Sequence, residues 1–231
     1  MTKAESPAPA PRHRLATRLW HWINALAVLV LVMSGLMIFN AHPRLYWGEA
    51  GALGDPAWLE TGDFAGLAFP GWMTIPSAYS LADARLWHLA FAWVLAPGLL
   101  AFLLASLANR HIAHDLHLTR EDWHPAGMWT AVVRHRAQDH RRYNPVQKLA
   151  YALVLFGLLP CLIATGLAMS PGMDAAWPWL TEIWGGRQSA RSVHFICTFA
   201  LVGFVAGHLV MVLLSGPVAQ VRVMITGGER P

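Results

Sequence analysis

The chain has 231 residues, of which 55% are hydrophobic and 13% charged, and a mean hydropathy of +0.39. A soluble domain carries about 25% charged side chains, so the composition excludes an ordinary water-soluble globule and points to an integral membrane protein. The net charge of +4 could suggest nucleic acid, but the uneven loop charge of a membrane protein accounts for it, and no nucleic-acid partner is expected.

In chain order, residues 1–18 are polar, basic and Pro/Ala-rich and read as a short disordered tail. The apolar run that follows is too long for a signal-peptide core, and no small-residue cleavage site follows it, so no cleavage is expected. The first span is predicted over 19–40, inside 25 uncharged residues between Arg18 and Arg44. His21 lies near its start between Trp20 and Trp22, which suit the interfacial belt. Residues 41–81 form a Gly-, Pro- and Trp-rich loop with an acidic balance. Its apolar stretch is broken by Pro70 and Pro76, so it is placed on the membrane surface or against a partner. The second span is predicted over 81–107, with His88 near its start and Pro97-Gly98 expected to kink it. A basic loop with six histidines follows. The third span is predicted over 145–169. A third loop carries Trp177, Trp179, Trp184 and the turn Gly185-Gly186.

The fourth span, 191–215, lies in 30 residues without a fixed charge between Arg191 and Arg222. It contains His194 and His208, 14 positions apart. Fourteen residues make just under four turns, so both imidazoles share a face, roughly 21 Å apart along the axis. Residues 217–231 read as a C-terminal tail.

Of the 17 Lys and Arg, 13 fall in the N-terminal tail, the second loop with Lys148, and the C-terminal tail. The positive-inside rule therefore predicts an all-α, integral membrane four-helix bundle with both termini cytoplasmic. This orientation sorts the four membrane histidines by depth. His21 and His208 fall near the cytoplasmic surface, His88 and His194 near the external one. Each couple comes from two different helices, as needed to clamp a haem iron on both faces. A titratable group at such depth is expensive and marks function by default, although a lone membrane histidine can be a packing residue. Two imidazoles fill both axial positions, so the iron would carry electrons instead of binding oxygen. Gly35, Gly166, Gly203 and Gly207 would let a flat porphyrin approach the backbone. Gly203 and Gly207 also read as a small-residue helix contact.

The segment Arg141–Tyr151, R-R-Y-N-P-V-Q-K-L-A-Y, reads two ways. Asn144 before Pro145 suits a helix cap with proline in the first turn, and Lys148 suits snorkelling. The same groups could bind a quinone headgroup or a haem propionate. His111, His114 and His117 recur every three residues, which is thin evidence for a metal site on an exposed basic loop. Cys161 and Cys197 lie inside apolar runs with no C-x-x-C pair, so they read as small packing residues and not as a disulfide or a covalent haem attachment.

R-L-W-H-W around His21, Y-N-P-V-Q-K at 143–148 and the His-x13-His of the fourth span together resemble the bacterial di-haem cytochrome b membrane subunits of nickel–iron hydrogenases, formate dehydrogenases and thiosulfate reductases. The resemblance implies two b haems, one held by His21 and His208 and one by His88 and His194. It implies a quinone site at Asn144, Gln147 and Lys148, near the cytoplasmic-side haem. It also implies a periplasmic redox partner, which could be a molybdopterin enzyme, a hydrogenase-type enzyme or a c-type cytochrome. The segment G-G-R-Q-S-A-R at 185–191 is similar to members that accompany molybdopterin-dependent proteins. The expected location is the bacterial inner membrane, and the expected role is electron transfer between that partner and the quinone pool. Two rival readings are a stand-alone oxidoreductase acting on a small external reagent and a non-redox proton or metal-ion transporter.

Overall fold

Among the described residues, four helices are long and apolar enough to cross a membrane, Leu15–Asn40, Leu81–Ala108, Lys148–Ala168 and Arg187–Leu214. The computed structural model describes residues 15–52, 54–61, 67–108 and 145–228, with the backbone alone at 145–147. Helix α1 is Leu15–Asn40 and α2 is Leu81–Ala108, which continues as one element through Pro97. Gly98 lets these two helices close up. A Cβ there would lie 2.3 Å from the Trp20 ring, which stacks on Phe102 at 5.7 Å.

The third span is not one regular helix. It runs as α3 (Pro145–Leu153), a π turn (Val154–Leu158) and α4 (Leu159–Ala168). Pro160 supplies the reason. It has no amide hydrogen, and its ring would strike the carbonyl of Phe156 four residues back in a regular helix. The wider π turn sits just ahead of it. Two short helices follow, α5 (Pro171–Ala176) and α6 (Trp179–Glu182), in the stretch that the sequence reads as a loop.

Helix α7 spans Arg187–Leu214, starting four residues before the predicted Arg191. The earlier start is possible because Arg191 is held by protein. Its guanidinium donates to the carbonyls of Arg44 at 3.1 Å and His42 at 2.5 Å, and lies 5.7 Å from the Phe39 ring. The first loop also satisfies the bare amides at the start of α7. Gln188 and Ser189 donate to Gly48 O at 2.9 and 3.2 Å, and Arg187 N to Glu49 Oε2 at 3.3 Å. Four amides at a helix start have no partner within the helix, and Gly186 brings no side-chain cap. Trp58 Nε1 donates to Ser192 Oγ at 2.9 Å, and that hydroxyl donates to Tyr46 O at 2.6 Å. Strands β1 (Arg44–Leu45) and β2 (Leu59–Glu60) close the loop as an antiparallel pair, with an ion pair between Arg44 and Glu60.

The apolar stretch with Pro70 and Pro76 is docked on α1. Asn40 holds Phe69 through two backbone hydrogen bonds, at 2.8 and 2.9 Å, and Ile75 N reaches Met33 O at 3.2 Å. The loop contacts with α7 put the first and third loops on one side of the bundle. At the other side, residues 217–226, read as a tail, form helix α8 (Pro217–Thr226). Its Met224 carbonyl accepts from Arg18 Nε and Trp22 Nε1, both at 3.3 Å. Leu95, Leu99, Val154, Leu159 and Leu201 form a buried cluster at mid-bundle, with Trp20 and Phe204 packed against it. Many large apolar side chains, such as Leu29, Leu104, Val210 and Leu213, are exposed. Such a surface suits lipid, where helix association relies on close packing and not on escape from water.

Candidate functional site

The four membrane histidines meet two by two. His21 of α1 and His208 of α7 have ring centroids 6.2 Å apart, with planes at 55°. His88 of α2 and His194 of α7 are also 6.2 Å apart, at 59°. Leu201 of the central cluster lies midway between His194 and His208 in the sequence, so a packed apolar layer separates the two levels.

An imidazole nitrogen sits about 2 Å from a metal it binds, so two rings on opposite faces of one ion place their centres roughly 6 Å apart. Both pairs have that spacing. A bare zinc ion would need about four ligands, and the described residues contain no group of three or more His, Cys, Asp or Glu that could hold a metal ion. Two imidazoles suffice for a metal that brings its own in-plane ligands, as haem does. The donor set fits that group.

The His88/His194 pair is braced. Ser34 Oγ lies 3.1 Å from His88 Nδ1, and Thr165 Oγ1 lies 2.9 Å from His194 Nδ1. Gly35 and Gly166 follow these hydroxyls. A Cβ on Gly35 would touch His88 Cε1 at 3.4 Å, and one on Gly166 would touch His194 Cε1 at 3.6 Å. Phe195 beside His194 packs between Phe39 and Phe199, with centroids at 4.7 and 4.6 Å. The His21/His208 pair is different. His21 Nδ1 is buried without a hydrogen-bond partner among the described residues, and so is Asn24 Oδ1 one turn away. His208 stacks on Phe204 at 6.3 Å, and Phe204 meets Tyr151 of α3 edge-on at 6.1 Å.

Two of the four glycines do not do what the sequence reading asked of them. Gly203 and Gly207 are nine and thirteen positions past His194, which at 100° per residue puts them on the opposite face of α7. No described atom lies within 4 Å of a Cβ built on either. They neither line the histidine face nor make the predicted helix contact among the described residues.

Of the polar cluster, Asn144 lies outside the described residues, as do His111, His114 and His117. Gln147 is described only as backbone of α3, and Lys148 is half-buried in the same helix. Lys148 is one turn before Tyr151, whose ring meets Phe204, which in turn stacks on His208. Cys161 and Cys197 face each other with sulfurs 3.5 Å apart.

Ser34, Thr165 and Arg191 were not anticipated. A signal for the first two was present, in the triplets Ser34-Gly35-Leu36 and Thr165-Gly166-Leu167 of the first and third spans. No such signal marks Arg191, because its partners are carbonyls of a distant loop.

The family model described as prokaryotic cytochrome b561 matches residues 12–227. A putative protein-methionine-sulfoxide reductase subunit YedZ1 of Azospira oryzae is 30% identical over 200 residues, covering 85% of this chain and 87% of the relative. A probable Ni/Fe-hydrogenase B-type cytochrome subunit of Cupriavidus necator is 24% identical over 227 residues, covering 91% and 82%. A putative cytochrome, YdhU of Escherichia coli, is 26% identical over 207 residues, covering 84% and 64%. No solved structure matches.

Proposed function

This chain belongs to the prokaryotic cytochrome b561 family, and on that premise we propose that it is the membrane subunit of an oxidoreductase complex, holding two b haems and transferring electrons between a periplasmic redox protein and the quinone pool of the bacterial inner membrane. The observation that carries this reading is the pair of facing imidazole couples, each with ring centres 6.2 Å apart and each drawn from two helices. When bound, haem would supply one-electron storage, with His88 and His194 holding one group and His21 and His208 the other.

The residues then divide the work. His88 and His194 hold the external level, and His21 and His208 the cytoplasmic level. The central leucine layer keeps the levels apart and keeps water out. Tyr151 and Phe204 connect the cytoplasmic level to the face of α3 that carries Lys148, where Asn144, Gln147 and Lys148 would receive a quinone headgroup. The external surface offers exposed Trp47 and Trp58, stacked at 5.6 Å, with Trp177 and Trp179. Glu49, Asp55 and Glu60 lie in the same first loop. An aromatic, acidic surface held firmly to α7 suits a partner with a basic patch around its redox centre. The relatives named as subunits of a reductase and of hydrogenases support a redox enzyme as that partner. The orientation, with both termini cytoplasmic, rests on the charge asymmetry of the loops.

Haem quantification by pyridine haemochrome tests the reading. The purified protein is expected to hold two haems per chain, with His208→Ala and His194→Ala each retaining one. Retention of both haems in either variant, or colourless parent protein, overturns it.

A further inference from the structure

We propose that Ser34 and Thr165 are positioning residues that fix the tautomer of His88 and His194 and make the external-level haem the harder of the two to reduce. The inference rests on the two-haem reading above and concerns only how one level is tuned.

The hydrogen-bond directions follow from a proton count. A hydroxyl has one hydrogen. Ser34 Oγ is 2.6 Å from Val30 O and 3.2 Å from Leu31 O. Thr165 Oγ1 is 2.7 Å from Cys161 O and 3.2 Å from Leu162 O. Ser and Thr in membrane helices usually donate to the carbonyl of the turn behind them, and we assign each hydroxyl's proton to that bond. Its lone pairs then face the histidine, so the contacts at 3.1 and 2.9 Å are assigned as Nδ1–H donating to oxygen, beside the hydrogen bonds that the same rings make to the backbone of Leu31 and Leu162. Both rings therefore carry their proton on Nδ1 and present a bare Nε2.

The device is built twice. Ser34-Gly35-Leu36 on α1 faces a histidine on α2, and Thr165-Gly166-Leu167 on α4 faces one on α7. His88 and His194 are each the eighth residue of their helix. In both cases the glycine after the hydroxyl lies under the ring Cε1 and keeps the approach close. The cytoplasmic level has no counterpart among the described residues, since His21 Nδ1 is buried without a partner and no hydrogen bond joins His208 to a described group.

A ring that donates from Nδ1 is more electron-rich and more basic at Nε2. It favours the more highly charged, oxidised iron. With two such donors at one level and none at the other among the described residues, the external level is expected to have the lower potential, which favours inward electron flow.

The test is a redox titration of purified protein in detergent, followed by visible spectra and resolved into its two haem components. The variants are Ser34→Ala and Thr165→Val, the second keeping the branched shape without the hydroxyl. Haem content and the electron paramagnetic resonance signal of the oxidised protein are recorded alongside. In each variant one component is expected to shift toward the reduced form by about tenfold, the low end of outer-sphere effects, equivalent to about 59 mV for one electron. The other component should stay in place. Ser34→Thr and Thr165→Ser should restore the parent value. Loss of the external-level haem from the hydroxyl-free variants, with retention in the conservative ones, also supports the positioning role. Unchanged potentials at full haem content overturn this inference alone. Parent protein without two haem components overturns the two-haem reading and this inference together.

Discussion

Replacing Arg191 by methionine tests whether the first loop is held to α7 as the contacts imply. The guanidinium donates to two carbonyls, of His42 at 2.5 Å and Arg44 at 3.1 Å, and lies over Phe39 at 5.7 Å. A hydrogen bond from a charged donor is worth about 1.5–3 kcal/mol, and a cation over an aromatic face about 0.5–2 kcal/mol. The three are not additive, and the carbonyls belong to half-buried loop residues, where water can replace the lost donors. A net loss of roughly 2–4 kcal/mol is therefore expected. Methionine keeps most of the stem packing, so the loss reports the guanidinium. For a chain of this size that corresponds to a melting point lower by about 4–16 °C. The assay is thermal unfolding in mild detergent, followed by tryptophan fluorescence, because Trp47 and Trp58 sit on the loop in question. Limited proteolysis between residues 45 and 60 should quicken in parallel. Arg191→Lys should recover little, since an ammonium lacks the planar fork that reaches both carbonyls. A melting point within about 1 °C of the parent, with unchanged proteolysis, would refute the account of why α7 starts before Arg191.

Two further perturbations probe the same junction. Gly186→Ala should damage folding far more than Gly48→Ala. Both glycines have positive φ, at 111° and 99°, but a Cβ on Gly186 would lie 2.5 Å from the Gly48 backbone, whereas a Cβ on Gly48 meets nothing. About 1–2 kcal/mol of backbone strain is expected at Gly48, and several times that at Gly186, read from the yield of folded protein and its melting point; equal effects would show that the contact is not tight. Acidification should also loosen the junction. Burial, and then the neighbouring Arg191 and Arg44, hold the His42 imidazole below its ordinary value of 6.5. The folded chain then binds fewer protons than the unfolded one, so stability should be full above about pH 6.5 and fall as pH drops toward the lowered folded value. His42→Gln should flatten that slope in a pH series of thermal melts, and an unchanged slope would assign the dependence to other groups.

How much could be read from the chain alone depends on whether the information is one-dimensional. Uncharged runs of 24–30 residues, a helix rise of about 1.5 Å and a charge bias among loops are all properties of position along the sequence. They were enough to mark four spans and to sort His21, His88, His194 and His208 by depth into the couples that face each other. The orientation of Gly203 and Gly207 was equally legible, since nine and thirteen residues at 100° each point away from His194. The π turn ahead of Pro160 was foreseeable as an irregularity but not in its form. What only the tertiary structure decided are contacts between groups distant in sequence and chemically ordinary. A serine or threonine hydroxyl acquires meaning when another helix brings an imidazole to it. Arg191 becomes part of a helix start because carbonyls some 150 residues earlier meet its guanidinium. Such partnerships depend on which helix faces which, and lateral packing leaves no periodic trace in any single segment.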